Sequence, residues 1–241
     1  MICFLTSSPY DPEVEALNHA NGFVDRLRAC LPRPCAALFV CSDPDGWEKT
    51  DFYAEVTEQI FREAGFPLKS FQTLDRRNQA EAAALVRGAD LIILAGGHVP
   101  TQNRFFAEIG MKELMRGFDG VLIGISAGSM NSAALVYAQP EEEGEAVDPT
   151  YRRFLPGLGL TKRMILPHYQ MIKDDILDGL RVMEDVAYPD SLGREFLIFP
   201  DGTYLYLENG RETLCGEAWL LKDGVLTKLS ENDTASHLEG S

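Results

Sequence analysis

Short apolar runs alternate, along the first half of the chain, with longer stretches whose apolar positions fall three or four apart. Ile2–Thr6, Ala36–Cys41, Asp90–Ala95 and Gly120–Ile125 are apolar almost throughout, and Leu68–Leu74 alternates less cleanly. Uninterrupted runs of this length are the pattern of strands buried on both faces. Between them, Glu13–Leu31 spaces Val14, Leu17, Phe23, Val24 and Leu27 as a helix would, and Pro32 and Pro34 stop it. Phe52–Ala64, Gln79–Val86 and Phe105–Met115 predict further helices, ended by Gly65, Gly88 and Gly117. Strands alternating with helices imply a parallel sheet covered on both sides.

From Ala138 the pattern changes. Ala138–Gly159 is a long acidic loop, and Arg163–Leu166 is a short strand running into Pro167-His168. Ile172–Val186 is amphipathic. Glu195–Phe199, Thr203–Leu207, Leu214–Leu221 and Val225–Leu229 then read as short strands, punctuated by the hairpin signals Asp201-Gly202, Asn209-Gly210 and Asp223-Gly224. The predicted fold is an α/β three-layer sandwich with a mainly parallel sheet and C-terminal antiparallel hairpins. Residues 1–230 form one domain in this reading, and 231–241 form a polar tail.

Composition narrows the function. A net charge of −15 argues against nucleic acid and anionic membrane surfaces as partners, because phosphate binding needs a basic surface. No apolar run reaches membrane-spanning length, and the first residues lack a basic leader, so a cytoplasmic enzyme is expected. The five cysteines include no CxxC pair, and Cys3 and Cys41 sit in strand-like runs, so buried structural thiols are expected. Four histidines without HExxH-like spacing give no metal site, and Gly96-Gly97 is not a GxGxxG turn, so no cofactor is expected.

The chemistry centres on Gly124-Ile125-Ser126-Ala127-Gly128 at the end of the fifth predicted strand. A strand, a sharp turn bearing serine and a helix make a nucleophile elbow. Ser126 is the candidate nucleophile. A serine needs a base and a group that orients the base. His168 follows a predicted strand, where side chains reach the ligand edge of the sheet, and is the candidate base. His19 falls in a predicted helix and His237 in the tail. The orienting acid is open among Glu141, Glu142, Glu143, Glu145 and Asp148. The N–H of Ala127 is one oxyanion donor by the logic of the elbow, and Gly97 offers the second. Arg104, Arg152, Arg153 and Lys173 could hold a substrate carboxylate, or the acidic loop a free amino group. GxSxG also fits the alpha/beta-hydrolases, but here His168 comes only 42 residues after the serine and hairpins follow it.

Leu94-Ala95-Gly96-Gly97-His98, Gly124-Ile125-Ser126-Ala127-Gly128-Ser129-Met130-Asn131, Leu166-Pro167-His168-Tyr169 and Phe199-Pro200-Asp201-Gly202-Thr203 together resemble the peptidase E family of serine peptidases. That family includes aspartyl dipeptidases and the related cyanophycinases. The resemblance implies a fold akin to class I glutamine amidotransferases, with Ser126 as nucleophile, His168 as base and Gly97 in the oxyanion hole. It puts the acid at Glu141, where the family's dipeptidases carry Asp. His98 stands where the family has Asn, beside the substrate. The expected function is hydrolysis of short peptides. The sequence leaves oligomeric state open, and the long loop at Ala138–Gly159 could pack on a second copy as a homodimer. Two other readings share the same residues: an esterase or amidase acting on small acyl compounds, and a binding protein that keeps the elbow as architecture.

Overall fold

The computed structural model describes residues 1–11 and 13–238. The first half follows the predicted alternation. Strands β1 (Ile2–Thr6), β2 (Cys35–Val40), β3 (Leu68–Leu74), β4 (Leu91–Leu94) and β5 (Val121–Ile125) pair in parallel in the order β1-β5-β4-β2-β3. Helices α1 (Phe23–Cys30), α2 (Trp47–Glu63), α3 (Ala82–Gly88), α4 (Val99–Glu108) and α5 (Met111–Met115) connect them. One face of the sheet is buried by a core that includes Phe23, Leu27, Ala54 and Ile60 of α1 and α2. The other is buried against Val86, Phe105, Phe106 and Met111 of α3 to α5. Strands apolar at every position are stable here because each face meets a helix layer.

A short helix α6 (Ala127–Asn131) follows β5 directly. Strands β6 (Leu135–Tyr137) and β7 (Phe154–Pro156) pair across the acidic loop. Beyond them come β8 (Met164–Leu166), α7 (Tyr169–Ile172), the small hairpin β9 (Ile176–Leu177) and β10 (Leu180–Arg181), and α8 (Tyr188–Asp190). The C-terminal strands β11 (Glu195–Ile198), β12 (Tyr204–Glu208), β13 (Arg211–Cys215), β14 (Ala218–Lys222), β15 (Val225–Ser230) and β16 (Ala235–Leu238) divide between two sheets. β12, β13 and β16 extend the main sheet antiparallel from β1. β8, β11, β14 and β15 form a second sheet, in which β8 and β11 run parallel. A third apolar cluster, with Tyr137 stacked on Phe196 at 4.3 Å, joins this sheet to α6.

The structure corrects several element boundaries. The helix expected over Glu13–Leu31 is reduced to α1, because Asn21 and Gly22 both take left-handed conformations ahead of it. His19 therefore lies outside the helix. Phe105–Met115 is broken at Gly110, also left-handed, and α4 starts earlier, at Val99. Ile172–Val186 is no single helix: it contains the β9–β10 hairpin and enters a wide helical turn at Val182–Ala187. Leu214–Leu221 splits into β13 and β14 as the chain crosses between sheets. Within the segment read as a polar tail, Ala235–Leu238 is a paired edge strand, with His237 Nδ1 3.0 Å from Thr213 Oγ1. The remainder, residues 239–241, lies outside the described residues. Among the described residues no helix is long and apolar enough to cross a membrane.

Candidate active site

β5 lies at the middle of the main sheet, between β1 and β4, so its carboxyl end opens between two neighbouring strand ends. Ser126 sits there with φ +49° and ψ −109°, a conformation that costs a residue with a Cβ and persists only where its surroundings fix it. They do. The Ser126 N–H donates to the carbonyls of Thr6 and Ser7 at 3.1 and 3.0 Å. Ser129 Oγ, on α6, donates to the Thr6 carbonyl at 2.7 Å, and Thr6 Oγ1 donates to that of Gly124 at 2.8 Å. The turn also needs small residues. A Cβ at Gly128 would collide with the Leu94 carbonyl, and one at Gly124 would lie 2.9 Å from the Ser129 backbone.

Gly97 follows β4, the strand beside β5, and has φ +147°. A side chain there would be strained and would run into Ser42 Oγ. The N–H groups of Gly97 and Ala127 engage no hydrogen-bond acceptor among the described residues. The turn is held from behind by Gln102, fully buried, whose Nε2 donates to the Ala95 carbonyl at 2.8 Å and whose Oε1 accepts from Asn131 at 3.0 Å.

His168 comes two residues after β8, again with a positive φ, +57°. It lines the same cavity as Ser126, Gly96 and Gly97, a space of about 740 Å³. The carboxylate bonded to it is Asp201, with Nδ1 2.8 Å from Oδ1. Asp201 is held by two more donors: Ser7 Oγ to Oδ1 at 2.5 Å and Gln170 Nε2 to Oδ2 at 2.7 Å. The Asp201 N–H returns a bond to Gln170 Oε1 at 3.1 Å, which fixes the Gln170 amide orientation. Ser7 Oγ also accepts the His168 backbone N–H at 2.8 Å. Burial raises the Asp201 carboxyl, but the bonds from His168 and Ser7, the His168 charge and Gln170 outweigh it and leave it below its ordinary value. A charged Asp201 makes Nδ1 the protonated nitrogen of a neutral His168 and leaves Nε2 as the acceptor.

The structure does not bring Glu141 to this place. Glu145 organises the acidic loop instead: its Oε2 accepts the N–H groups of Glu141 and Glu142 at 2.9 and 3.0 Å, and its Oε1 lies 2.8 Å from His98 Nε2. Asp178, in the β9–β10 turn, accepts the N–H groups of Gly144 and Ala146. These anchors hold the Glu141 backbone in the acidic loop, where desolvation and then the charges of Glu145 and Glu142 push its carboxyl up. Burial raises Glu145, while the two backbone donors and then His98 bring it below its ordinary value. His98 has both ring nitrogens engaged, the second 2.8 Å from Thr101 Oγ1, so it meets the cavity as a clip for the acidic loop. Glu142 lines the cavity; Arg104, Arg152, Arg153 and Lys173 are not among its described lining. Arg153 pairs with Asp190 at 2.9 Å.

The family model of peptidase family S51 matches residues 21–214. The chain belongs to peptidase family S51. No curated protein matches the sequence. Among solved structures, the S51 chain is similar to a peptidase from an acI-B1 Actinobacterium, at 18% identity and a TM-score of 0.65, over 98% of this chain and 96% of that one. It is also similar to a protein assigned to peptidase E from Listeria monocytogenes EGD-e, at 17% identity and a TM-score of 0.56, over 95% and 98% of the two chains. These likenesses establish the shared fold, and S51 membership supports a serine peptidase. In this S51 chain, His98, Glu142 and Glu145 bring three possible metal-ligand atoms within 4.8 Å of one another. His98 and Glu145 are bonded to each other, and the second Glu145 oxygen takes two backbone donors, so two of the three residues are engaged by protein partners.

Asp201 is the residue that reading the sequence missed. In the sequence it stood in a turn dipeptide and in the Phe199-Pro200-Asp201-Gly202-Thr203 segment of the family resemblance, with no role attached to it. The signal for it lies in chain topology: β8 and β11 are parallel neighbours, with Leu166 opposite Ile198, so the segments after their carboxyl ends share one edge.

Proposed function

We propose that the protein is a serine peptidase that hydrolyses short peptides through Ser126, His168 and Asp201. The observation that carries this reading is the bond of Asp201 to His168 Nδ1, beside an elbow serine that lines the same cavity. In this mechanism His168 Nε2 takes the Ser126 proton as Oγ attacks the scissile carbonyl, and the N–H groups of Gly97 and Ala127 bind the oxyanion. His168 then delivers the proton to the leaving amine. Water, activated by the same nitrogen, hydrolyses the acyl-enzyme. Asp201 keeps the proton on Nδ1 and stabilises the imidazolium without taking the proton. Ser7 is a positioning residue: its single proton goes to Asp201, so it accepts from the His168 backbone and cannot compete as a donor to Nδ1.

Turnover of a dipeptide library by the wild type and by Ser126→Ala, read as released amino acids, tests the proposal. A loss of about 10⁶-fold is expected, the size found when a triad works as a unit. Unchanged turnover by Ser126→Ala would refute it. The same library beside an ester panel separates the peptidase from an esterase using the same residues.

A further inference from the structure

The cavity that contains Ser126 and His168 continues past them to α2. Its lining there is apolar: Phe39, Ile60, Ala95 and Ile125 are buried core residues, and Val56 is half-buried on α2. Two of the polar groups in the same wall satisfy each other, with Tyr10 OH 2.9 Å from Thr57 Oγ1, and Thr50 Oγ1 donates to the Asp43 carbonyl at 3.3 Å. At the rim, Tyr53 and Val14 leave apolar surface uncovered, 51% and 59% exposed. The charges around the space are unequal: Asp11, Glu13, Glu15, Asp43 and Glu142 face it against one cation among its described lining, Lys49.

An apolar hollow beside the attacking oxygen, ringed by carboxylates and with no arginine in its described lining, is a poor receptor for an acidic side chain. A carboxylate entering it would be desolvated without a bidentate partner and would meet like charges. An aliphatic or aromatic side chain would lose only water, which is favourable. The rim carboxylates suit the positive amino end of a short peptide. We propose that this pocket selects an uncharged aliphatic or aromatic side chain on the residue flanking the scissile bond, and disfavours aspartate there. The proposal rests on the peptidase reading for its chemistry, but the pocket can be examined without turnover.

The test pairs two measurements on Phe-Ala, Leu-Ala, Ala-Phe, Asp-Ala and Ala-Asp. One is kcat/KM of the wild type. The other is binding to Ser126→Ala by calorimetry. Apolar dipeptides should exceed their aspartyl counterparts by roughly 10²-fold in kcat/KM, since unpaired burial of a carboxylate is a larger penalty than loss of a methylene. Binding should follow the same order. Tyr53→Ala, at an exposed position on α2, should weaken Phe-Ala several-fold and so narrow its lead over Asp-Ala. Val56→Arg should reverse the order. If no peptide is cleaved, the peptidase reading falls, and the binding order alone decides the pocket. The pocket proposal is overturned if Asp-Ala is bound or cleaved as well as Phe-Ala, or if no apolar dipeptide binds.

Discussion

Replacing Asp201 by Asn tests which carboxylate serves His168. The substitution keeps size and shape but leaves one acceptor where the site uses two. Oδ1 faces His168 Nδ1 and Ser7 Oγ, and Oδ2 faces Gln170 Nε2. Suppose the Asn oxygen stays toward His168. Its NH₂ then confronts the Gln170 NH₂, which cannot turn over without losing the bond between Gln170 Oε1 and the backbone N–H of residue 201. Suppose instead the Asn NH₂ faces His168. Nδ1 must then accept, the imidazole proton moves to Nε2, and the nitrogen that should take the Ser126 proton is blocked. The second arrangement satisfies Gln170 and is the one expected to prevail. A wrong tautomer in a serine triad costs about 10⁴ in kcat, and partial population of the correct one lowers the loss to about 10³. This corresponds to roughly 4–5.5 kcal/mol of transition-state stabilisation. The assay is kcat on the best dipeptide of the library, for Asp201→Asn and Glu141→Gln side by side, with circular dichroism to verify folding. Glu141→Gln should stay within a few-fold of wild type. A folded Asp201→Asn enzyme with near wild-type kcat, or a loss of 10³-fold in Glu141→Gln, would refute the assignment.

Other expectations follow from the same geometry. Ser7→Ala removes one donor to a charged carboxylate and the acceptor of the His168 N–H, so kcat should fall roughly 10–10²-fold while KM is unchanged; an equal rise in KM would point to a collapsed site instead. Gly128→Ala drives a Cβ into the Leu94 carbonyl, and overpacking of this kind costs about 1–3 kcal/mol, visible as a melting point lower by several degrees. A melting point equal to wild type would mean that α6 can slide away from β4. Asp201 is depressed in the folded state, so its contribution to stability is complete above the ordinary value of 3.8 and is lost as pH falls through the folded value. The stability difference between wild type and Asp201→Asn should therefore be flat at neutral pH and narrow below about pH 4; a difference that widens on acidification would contradict the cited direction.

The parts of the fold legible in the sequence are those set by local burial. Val121–Ile125 is apolar at every position because β5 is covered on both faces, and a pattern of that kind survives without knowledge of its neighbours. The turns at Asn209-Gly210 and Asp223-Gly224 were legible for the same reason: each pair takes two left-handed residues, which few other dipeptides supply. Breaks set by a single backbone conformation were harder. Asn21 ends a helix-like spacing from within, and apolar periodicity carries no trace of it.

The site divides along the same line. Ser126 was legible because an elbow demands small residues at fixed offsets, and that demand is written into consecutive positions. The acid of the proposed triad has no such local signature. The long acidic loop offered five carboxylates close in sequence to Ser126, yet Glu145 and Asp178 pin that loop through backbone N–H groups and so spend its geometry on the rim of the cavity. Asp201 comes 33 residues after His168, in a dipeptide that turn chemistry alone accounts for. Only the parallel pairing of β8 with β11 makes it a neighbour. Two parallel strands deliver their following residues to one edge however long the connection between them. A base found after one strand therefore directs the search for its acid to the ends of later strands, ahead of the charges nearest in sequence to the nucleophile.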